Sequence, residues 1–509
     1  MKKIFYIIIP FLTILGCESI DFDDPSTLTN QEASEKIKSL GYVLTKSSIQ
    51  NVFMTSTSNA GGSHFSLWAD QSTNTNGSQS WWDFANEPRL RFNNNSAYRG
   101  EAAVVKLFSN YYQANLDATK VIDLIENQGR IIYDDNDNDR TTDCLIGAYY
   151  AKGISQGSLG AVFDRGLIVD DVNVANKELP HSYQELIENG IKHLDKALQL
   201  IDASPNAKFD FLTGIVISND DLKKLINSFA ARLLASIARD KAEAEKLDAT
   251  VWQRVYDYAD KGFTSDFLIT TVSGGYFNEL IQTLELPSLG AYVPADIKVA
   301  YLADKNRVTP TEYPVDNTVL LDAIETDDAR FYQYFVYTTS FGNLMEGRGR
   351  HLFSNYKRAR WMQPARSSLN VPGAINPYFL AEEVRLLKAE ALYWLGDLQG
   401  TADLLNDGSA SRIAKGNLPQ VNVDEDEIID VLHYEYSIEV DGGGGTFLPF
   451  TFMRRHDLLQ AGTPTQFPVP QVQLELIGIK TYTFGGFDNQ GEKGIFGETA
   501  TAKGKGWKK

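Results

Sequence analysis

The sequence predicts a mostly α protein, in which antiparallel helix pairs stack on one another and carry a loop-rich insertion with few short strands. Three observations lead there. Residues 376–405 hold one complete helix pair. Apolar stripes at helical spacing recur upstream, at irregular intervals, in residues 104–125, 183–201, 221–239 and 252–258. Between the two regions, residues 264–375 are rich in Tyr, Thr, Gly and Pro, and short apolar runs such as 331–337 suit strands.

In the 376–405 pair, Asn376 suits a helix cap and Pro377 the first helical position. Leu380, Val384, Leu387, Ala391, Trp394 and Leu395 then follow at helical spacing, with Glu382, Glu383, Arg385 and Glu390 on the other face. Gly396 suits the left-handed conformation that stops a helix, and Asp397 opens the second one. Residues 389–397 (AEALYWLGD) resemble the hinge of a tetratricopeptide repeat. Such a pair buries its apolar stripe only against neighbours.

Upstream, residues 31–40 read as a helix that ends before Gly41. Residues 45–100 hold much Ser, Thr, Asn and Gly, and read as loop-rich. Residues 104–125 and 144–154 read as the first pair. Ser182 and Glu185 form a capping box, which opens a stripe of Leu186, Ile187, Ile191, Leu194, Leu198 and Ile201. Leu225, Phe229, Leu233 and Ile237 mark the next helix, and 252–258 its partner. The Gly-rich tail, ending in Lys503, Lys505, Lys508 and Lys509, reads as a frayed terminus.

At the N-terminus, Lys2 and Lys3 precede a 13-residue apolar run, residues 4–16, that ends at Cys17. The run is too short to cross a bilayer and reads as a secretory signal. Residues 14–17 (ILGC) resemble a bacterial lipobox, which makes Cys17 the expected acylated residue, and the acidic segment after it suits a tether. The expected organisation is a signal peptide (1–16), a lipidated N-terminus and tether (17–30) and a single body (31–509). The body divides into an N-terminal helical part (31–263), the insertion (264–375), the C-terminal helix pair with its following segment (376–478) and a tail (479–509).

Net charge is −18, or −20 once the signal is removed. That acidity argues against nucleic acid or anionic lipid surfaces as partners and suits a neutral ligand. With Cys17 acylated, Cys144 stands alone; its apolar neighbours predict a buried, inert thiol.

Motifs for chemistry are sparse. Residues 153–157 (GISQG) match the nucleophile-elbow pattern, but that motif needs a strand before it, and here a helical segment precedes it. They read as a loop. His64, His181, His193, His351, His433 and His456 show no pair at zinc-binding spacing. Asp135, Asp137 and Asp139 alternate as at the start of a calcium loop. Arg140 stands where that loop needs Gly, and Ile146 where it needs Glu, so the segment reads as a solvated loop with a weak structural-calcium alternative. No other cofactor is implied.

The tryptophans fall into two groups. Trp252 and Trp394 lie in apolar stripes and read as core. Trp68, Trp81, Trp82 and Trp361 lie in polar or basic surroundings. Aromatic planes stack on the C–H faces of sugar rings, while Asp, Asn and Arg bind the hydroxyls. Residues 81–89 (WWDFANEPR) supply both kinds of group. The binding candidates are therefore Trp68, Trp81, Trp82 and Trp361, with Tyr292 behind them, and Asp70, Asp83, Arg89 and Arg360 as polar partners. Each tryptophan reads equally well as a pin holding its loop to the body. Recognition residues sit most often on loops over a rigid scaffold, which places the site between residues 60–100 and 264–375.

The order of segments after the helix pair carries a family resemblance. It runs through residues 411–416 (SRIAKG), a helix at 428–439, glycines 442–445, residues 454–459 (RRHDLL) and 467–470 (FPVP). Together with the N-terminus, this order resembles the SusD/RagB family of outer-membrane lipoproteins. One departure is Tyr434-Glu435-Tyr436, where the family often has a more basic helix. The resemblance implies a non-catalytic lipoprotein at the outer membrane, facing the cell exterior. It would capture an oligo- or polysaccharide and deliver it to a SusC-like TonB-dependent transporter. A neutral glucan such as laminarin suits the acidity. A surface glycoside hydrolase and a helical-repeat scaffold or peptide-capturing protein are the alternatives.

Overall fold

The computed structural model describes residues 30–74, 80–172, 181–285, 293–306, 322–339, 354–361, 368–443, 445 and 447–508. The signal segment, Cys17, nearly all of the tether and Tyr292 lie outside them. No helix among the described residues is long and apolar enough to cross a membrane.

In chain order, α1 (Asn30–Ser56), α2 (Asn59–Trp68) and α3 (Trp81–Phe84) lead into α4 (Glu101–Ile122), α5 (Thr141–Val162) and α6 (Tyr183–Ala203). Next come α7 (Asn219–Ala235), α8 (Lys241–Lys246), α9 (Ala249–Asp260), α10 (Glu279–Glu285), α11 (Ile297–Ala303) and α12 (Phe331–Tyr334). The rest are α13 (Ala381–Trp394), α14 (Leu398–Asn406), α15 (Ser411–Ala414), α16 (Glu425–Glu435), α17 (Phe450–Arg455) and α18 (Gln471–Leu476). The long helices pack in series: α4 on α5, α5 on α6, α6 on α7, α7 on α9, α9 on α13, and α13 on α14. α1 closes the N-terminal end against α4 and α5.

Among the described residues the strands form four two-stranded antiparallel sheets. These pair β1 (Arg165–Gly166) with β2 (His181–Ser182), β3 (Phe209–Leu212) with β4 (Ile215–Ile217), β5 (Phe267–Thr270) with β8 (Ile375–Phe379), and β6 (Phe335–Tyr337) with β7 (Tyr356–Arg358). The β5–β8 pair zips the two ends of the insertion together, with Leu268 opposite Pro377 and Thr270 opposite Ile375. The insertion therefore leaves and rejoins the helical stack at one place. It builds a small core of its own around Val299, Phe331, Phe335 and Tyr356.

Several local expectations hold. The Ser182–Glu185 capping box is formed in both directions. Gly396 has φ +83°, and α13 and α14 make the expected pair. Trp252 and Trp394 stack across α9 and α13 with ring centroids 5.4 Å apart. Cys144 is buried, and burial pushes its thiol up to about 12.

Other expectations fail for identifiable reasons. The first helix does not stop at Gly41 but runs to Ser56, and α2 follows almost at once. Its hydroxyl residues bond back onto the helix, as in Thr45 Oγ1 to the Gly41 carbonyl at 2.8 Å, so they are tolerated inside it. Asn376 and Pro377 lie in β8 and do not open a helix. Asn376 instead donates to Thr271 Oγ1 and accepts from the Asn278 amide. The first turn of α13 is capped from outside, by Asp266 accepting from the Ala381 amide at 3.0 Å.

Residues 153–157 are no loop but the middle of α5, and all five are buried. A Cβ on Gly190 of α6 would lie 2.6 Å from the Gly157 amide nitrogen, so these glycines are the surface on which the two helices meet. The C-terminal tail does not fray. Backbone bonds between residues 462–465 and 500–502 hold it, and Trp507 is buried.

Buried ion pairs tie the C-terminal segment to the stack. Arg232 of α7 grips Glu383 of α13 with two bonds, at 2.5 and 2.7 Å. Arg455 likewise grips Glu390 at 2.5 Å twice, and His456 adds a third bond at 2.8 Å. Burial alone would raise the Glu390 carboxyl. Arg455 and His456 outweigh it and hold the group at about 2.

Candidate functional site

The structure brings together the two regions expected to form the site. Ser72 bridges Ala295, and the Thr73 amide donates to the Pro294 carbonyl at 3.0 Å. Arg358 donates to the Gln71 carbonyl at 2.6 Å and to Asp441. Lys298, fully buried, donates to the Ala69 carbonyl. Residues 69–74 are thus the floor on which the insertion sits.

That floor removes some candidates from any surface role. Trp68 is 3% exposed, with Phe84 and Phe467 against its ring at 5.2 and 4.7 Å. Trp81 is equally buried. Both are parts of the core, and a ring enclosed this way offers no open face to a sugar. Asp70 and Arg89 form a buried ion pair, and Arg89 also holds Thr463 Oγ1 and the Phe84 carbonyl at 3.0 Å each. Those two are a brace between α2, the loop after α3 and the C-terminal segment.

Trp82, Asp83, Arg360 and Trp361 keep partial exposure. They fall into two patches. In the first, Asp83 accepts from the Tyr98 hydroxyl at 2.5 Å, beside a depression of about 210 Å³ whose lining includes Trp68, Phe84, Leu90 and Phe92.

The second patch lies at the end of β7. The Arg360 guanidinium is 4.2 Å from the Tyr334 ring centroid and 4.7 Å from that of Trp361. It donates to Glu439 Oε1 at 2.6 Å and to the Glu439 carbonyl. Tyr334 also donates to Glu439 at 3.2 Å. Burial would raise the Glu439 carboxyl, but Arg360 and Arg330 prevail and keep it below the ordinary value. The Trp361 amide donates to Glu285 at 2.7 Å, and its ring packs on Ile281, Leu369 and Ala374. Its Nε1 has no hydrogen-bond partner among the described residues.

The resulting surface is a half-buried indole with a fixed guanidinium beside it; the indole N–H itself is enclosed. Glu439, Tyr334 and Glu285 complete it. None was legible, because each arrives from a different part of the chain. Tyr98 carried a usable signal, since it is an aromatic in the Asn-rich run that follows Arg91.

Larger depressions, of about 720 and 650 Å³, lie along the helices and share Asp195 and Arg254. Charged side chains line most of both, so neither offers the aromatic surface that sugar binding needs. In the expected calcium loop, Asp134 accepts from the Asn136 and Asn138 amides, and Asp139 from the Thr141 amide and hydroxyl. Those carboxylates hold the turn itself. Among the described residues no group of three or more His, Cys, Asp or Glu could hold a metal ion.

No protein-family model matches the chain, and no curated protein matches it in sequence. Solved structures do share its fold. A SusD superfamily protein from Bacteroides vulgatus superposes with a TM-score of 0.55 at 12% identity, covering 87% of this chain and 97% of its own. A SusD homolog from Bacteroides thetaiotaomicron gives 0.53 at 14%, covering 90% and 99%. A SusD-like carbohydrate-binding protein from Bacteroides vulgatus gives 0.54 at 12%, covering 92% and 94%. The chain has the SusD-like fold over nearly its whole described length.

Proposed function

We propose that this protein is a non-catalytic glycan-binding lipoprotein of the outer membrane. Cys17 carries the acyl anchor, the body faces the cell exterior, and captured oligo- or polysaccharide passes to a SusC-like TonB-dependent transporter. The observation that carries the binding assignment is the Trp361–Arg360 patch. A partly exposed indole next to a fixed guanidinium matches a sugar's alternating C–H and hydroxyl surface. The shared fold with a protein described as carbohydrate-binding supports the same reading. Arg360 is neutralised by Glu439, so the patch suits an uncharged ligand, and laminarin is the first glucan to try.

The test is a polysaccharide panel on the purified protein, with both binding and reducing ends measured. Binding without sugar release is expected. Released sugar would replace this reading with a glycoside hydrolase, and binding to nothing would favour a scaffold or peptide-capturing protein. Trp361→Ala should cost on the order of 2 kcal/mol of binding, as central aromatics do, together with a lowered melting temperature, because the ring also packs on Ile281, Leu369 and Ala374. An unchanged affinity would remove the site from Trp361. Loss of acyl labelling and of membrane retention in Cys17→Ala tests the anchor, and a large β-barrel recovered with the protein from mild detergent tests the transporter.

A further inference from the structure

Arg360 is the cation that meets the ligand in the proposed site, yet it is already paired with a carboxylate. Glu439, 2% exposed, binds it directly, and Glu285 accepts from the neighbouring Trp361 amide. Glu439 is itself held by Arg330 at 3.2 Å and by the Tyr334 hydroxyl. Lys415 stands 3.9 Å from its other oxygen. Arg330 is matched in turn by Asp328 and Glu435. The guanidinium therefore cannot swing away from its two rings, and its charge is cancelled where it stands.

Resting on the glycan reading above, we propose that Glu439 is the specificity-determining residue of the site. It acts through Arg360 in two ways. It fixes the guanidinium against the indole, so that the remaining N–H groups meet hydroxyls in one register. It also cancels the charge of Arg360, so that the guanidinium offers acidic sugars no net attraction. A free arginine here would instead grip a uronate or sulfate with paired bonds. The site thus selects uncharged glycans, although the residue nearest the ligand is a cation.

The experiment compares the mature wild-type protein with Glu439→Gln, Arg360→Ala and the double variant. Laminarin is the neutral probe and polygalacturonate the acidic one, both read by affinity electrophoresis at low and high salt, with melting temperatures alongside. Glu439→Gln should bind polygalacturonate at least tenfold more tightly than wild type, and the gain should vanish in high salt. It should vanish also when Arg360 is replaced. Laminarin binding by Glu439→Gln should weaken, and no further loss should follow when the substitution is made in the Arg360→Ala background.

A purely structural Glu439 would lower the melting temperature and change both glycans in parallel, with or without Arg360. That result overturns the proposal, as does a Glu439→Gln variant that still rejects polygalacturonate. If wild type binds no neutral glycan, the proposed function falls on that result. The Arg360-dependent gain for the acidic probe then decides alone whether Glu439 sets the charge of the site.

Discussion

Replacing Gly190 by Ala should destabilise the protein, although alanine is the better helix former. An added Cβ would lie 2.6 Å from the Gly157 nitrogen, 2.7 Å from the Gly153 carbonyl oxygen and 2.8 Å from the Gly157 Cα. All three are backbone atoms of α5, so no side chain can turn aside. Ordinary contact begins near 3.4 Å, so α5 and α6 must separate by roughly 0.6–0.8 Å where they cross. Forcing a methyl group into such packing costs about 1–3 kcal/mol, and rigid neighbours put this site at the upper end. Alanine's helix preference returns about 1 kcal/mol, which leaves a net loss of about 2 kcal/mol. Gly408→Ala is the control, because nothing lies within 4 Å of its Cβ and φ is ordinary. Urea titration and thermal melts should show Gly190→Ala well below wild type and Gly408→Ala level with it. A Gly190→Ala protein as stable as wild type would show that the α5–α6 crossing is looser than described, and the reasoning would fail.

Two further predictions concern acid. Glu390→Ala strands the buried Arg455 and should cost about 3–5 kcal/mol. Because Glu390 sits at about 2 when folded and near 4.5 when unfolded, its contribution is complete above 4.5 and is lost as pH falls through 2. The variant's acid-unfolding curve should be correspondingly flatter, and an unchanged curve would refute the pairing. His64 is fully buried, with no partner for either ring nitrogen among the described residues, and burial lowers it to about 3. The unfolded chain binds that proton near 6.5 and the folded chain does not, so stability is complete above 6.5 and declines as pH drops toward 3. His64→Phe, which packs against Phe84 without titrating, should remove that part of the slope. If the pH dependence persists, other groups account for it.

What the sequence revealed, and what it hid, follows from how far each signal reaches along the chain. α6 was legible because its cap lies within four residues and its outer face is polar, so the apolar stripe stands out. α5 was legible only over residues 144–154, because the part after them is buried all round and has no polar face to mark a period. Its glycines read as a loop, whereas they are the contact surface for α6. Asn376–Pro377 satisfied every local rule for a helix start. It was overruled by β5, a strand more than a hundred residues upstream that supplies the pairing partner. The tail was misread for the same reason, since its partners are at residues 460–465.

The site obeys the same division between local chemistry and distant packing. Sequence marked out candidate residues, because a tryptophan in a polar run is unusual wherever it ends up. It could not say which rings the fold would enclose. Trp68 and Trp361 have similar local surroundings, yet Trp68 is enclosed by Phe84, Phe467 and Phe450, all from outside its own helix. Trp361 keeps an open edge because it follows β7, at the margin of an insertion whose ends are pinned together. Pinning both ends at one sheet lets the insertion vary in length without disturbing the helix stack. The same arrangement anchors Arg360 to Glu439, which follows α16 and belongs to the C-terminal part of the body and not to the insertion. The proposed binding surface is therefore shared between the insertion and the C-terminal part of the body. Substitutions within the insertion should change which sugar fits, whereas substitutions at Glu439 should change which charge is admitted.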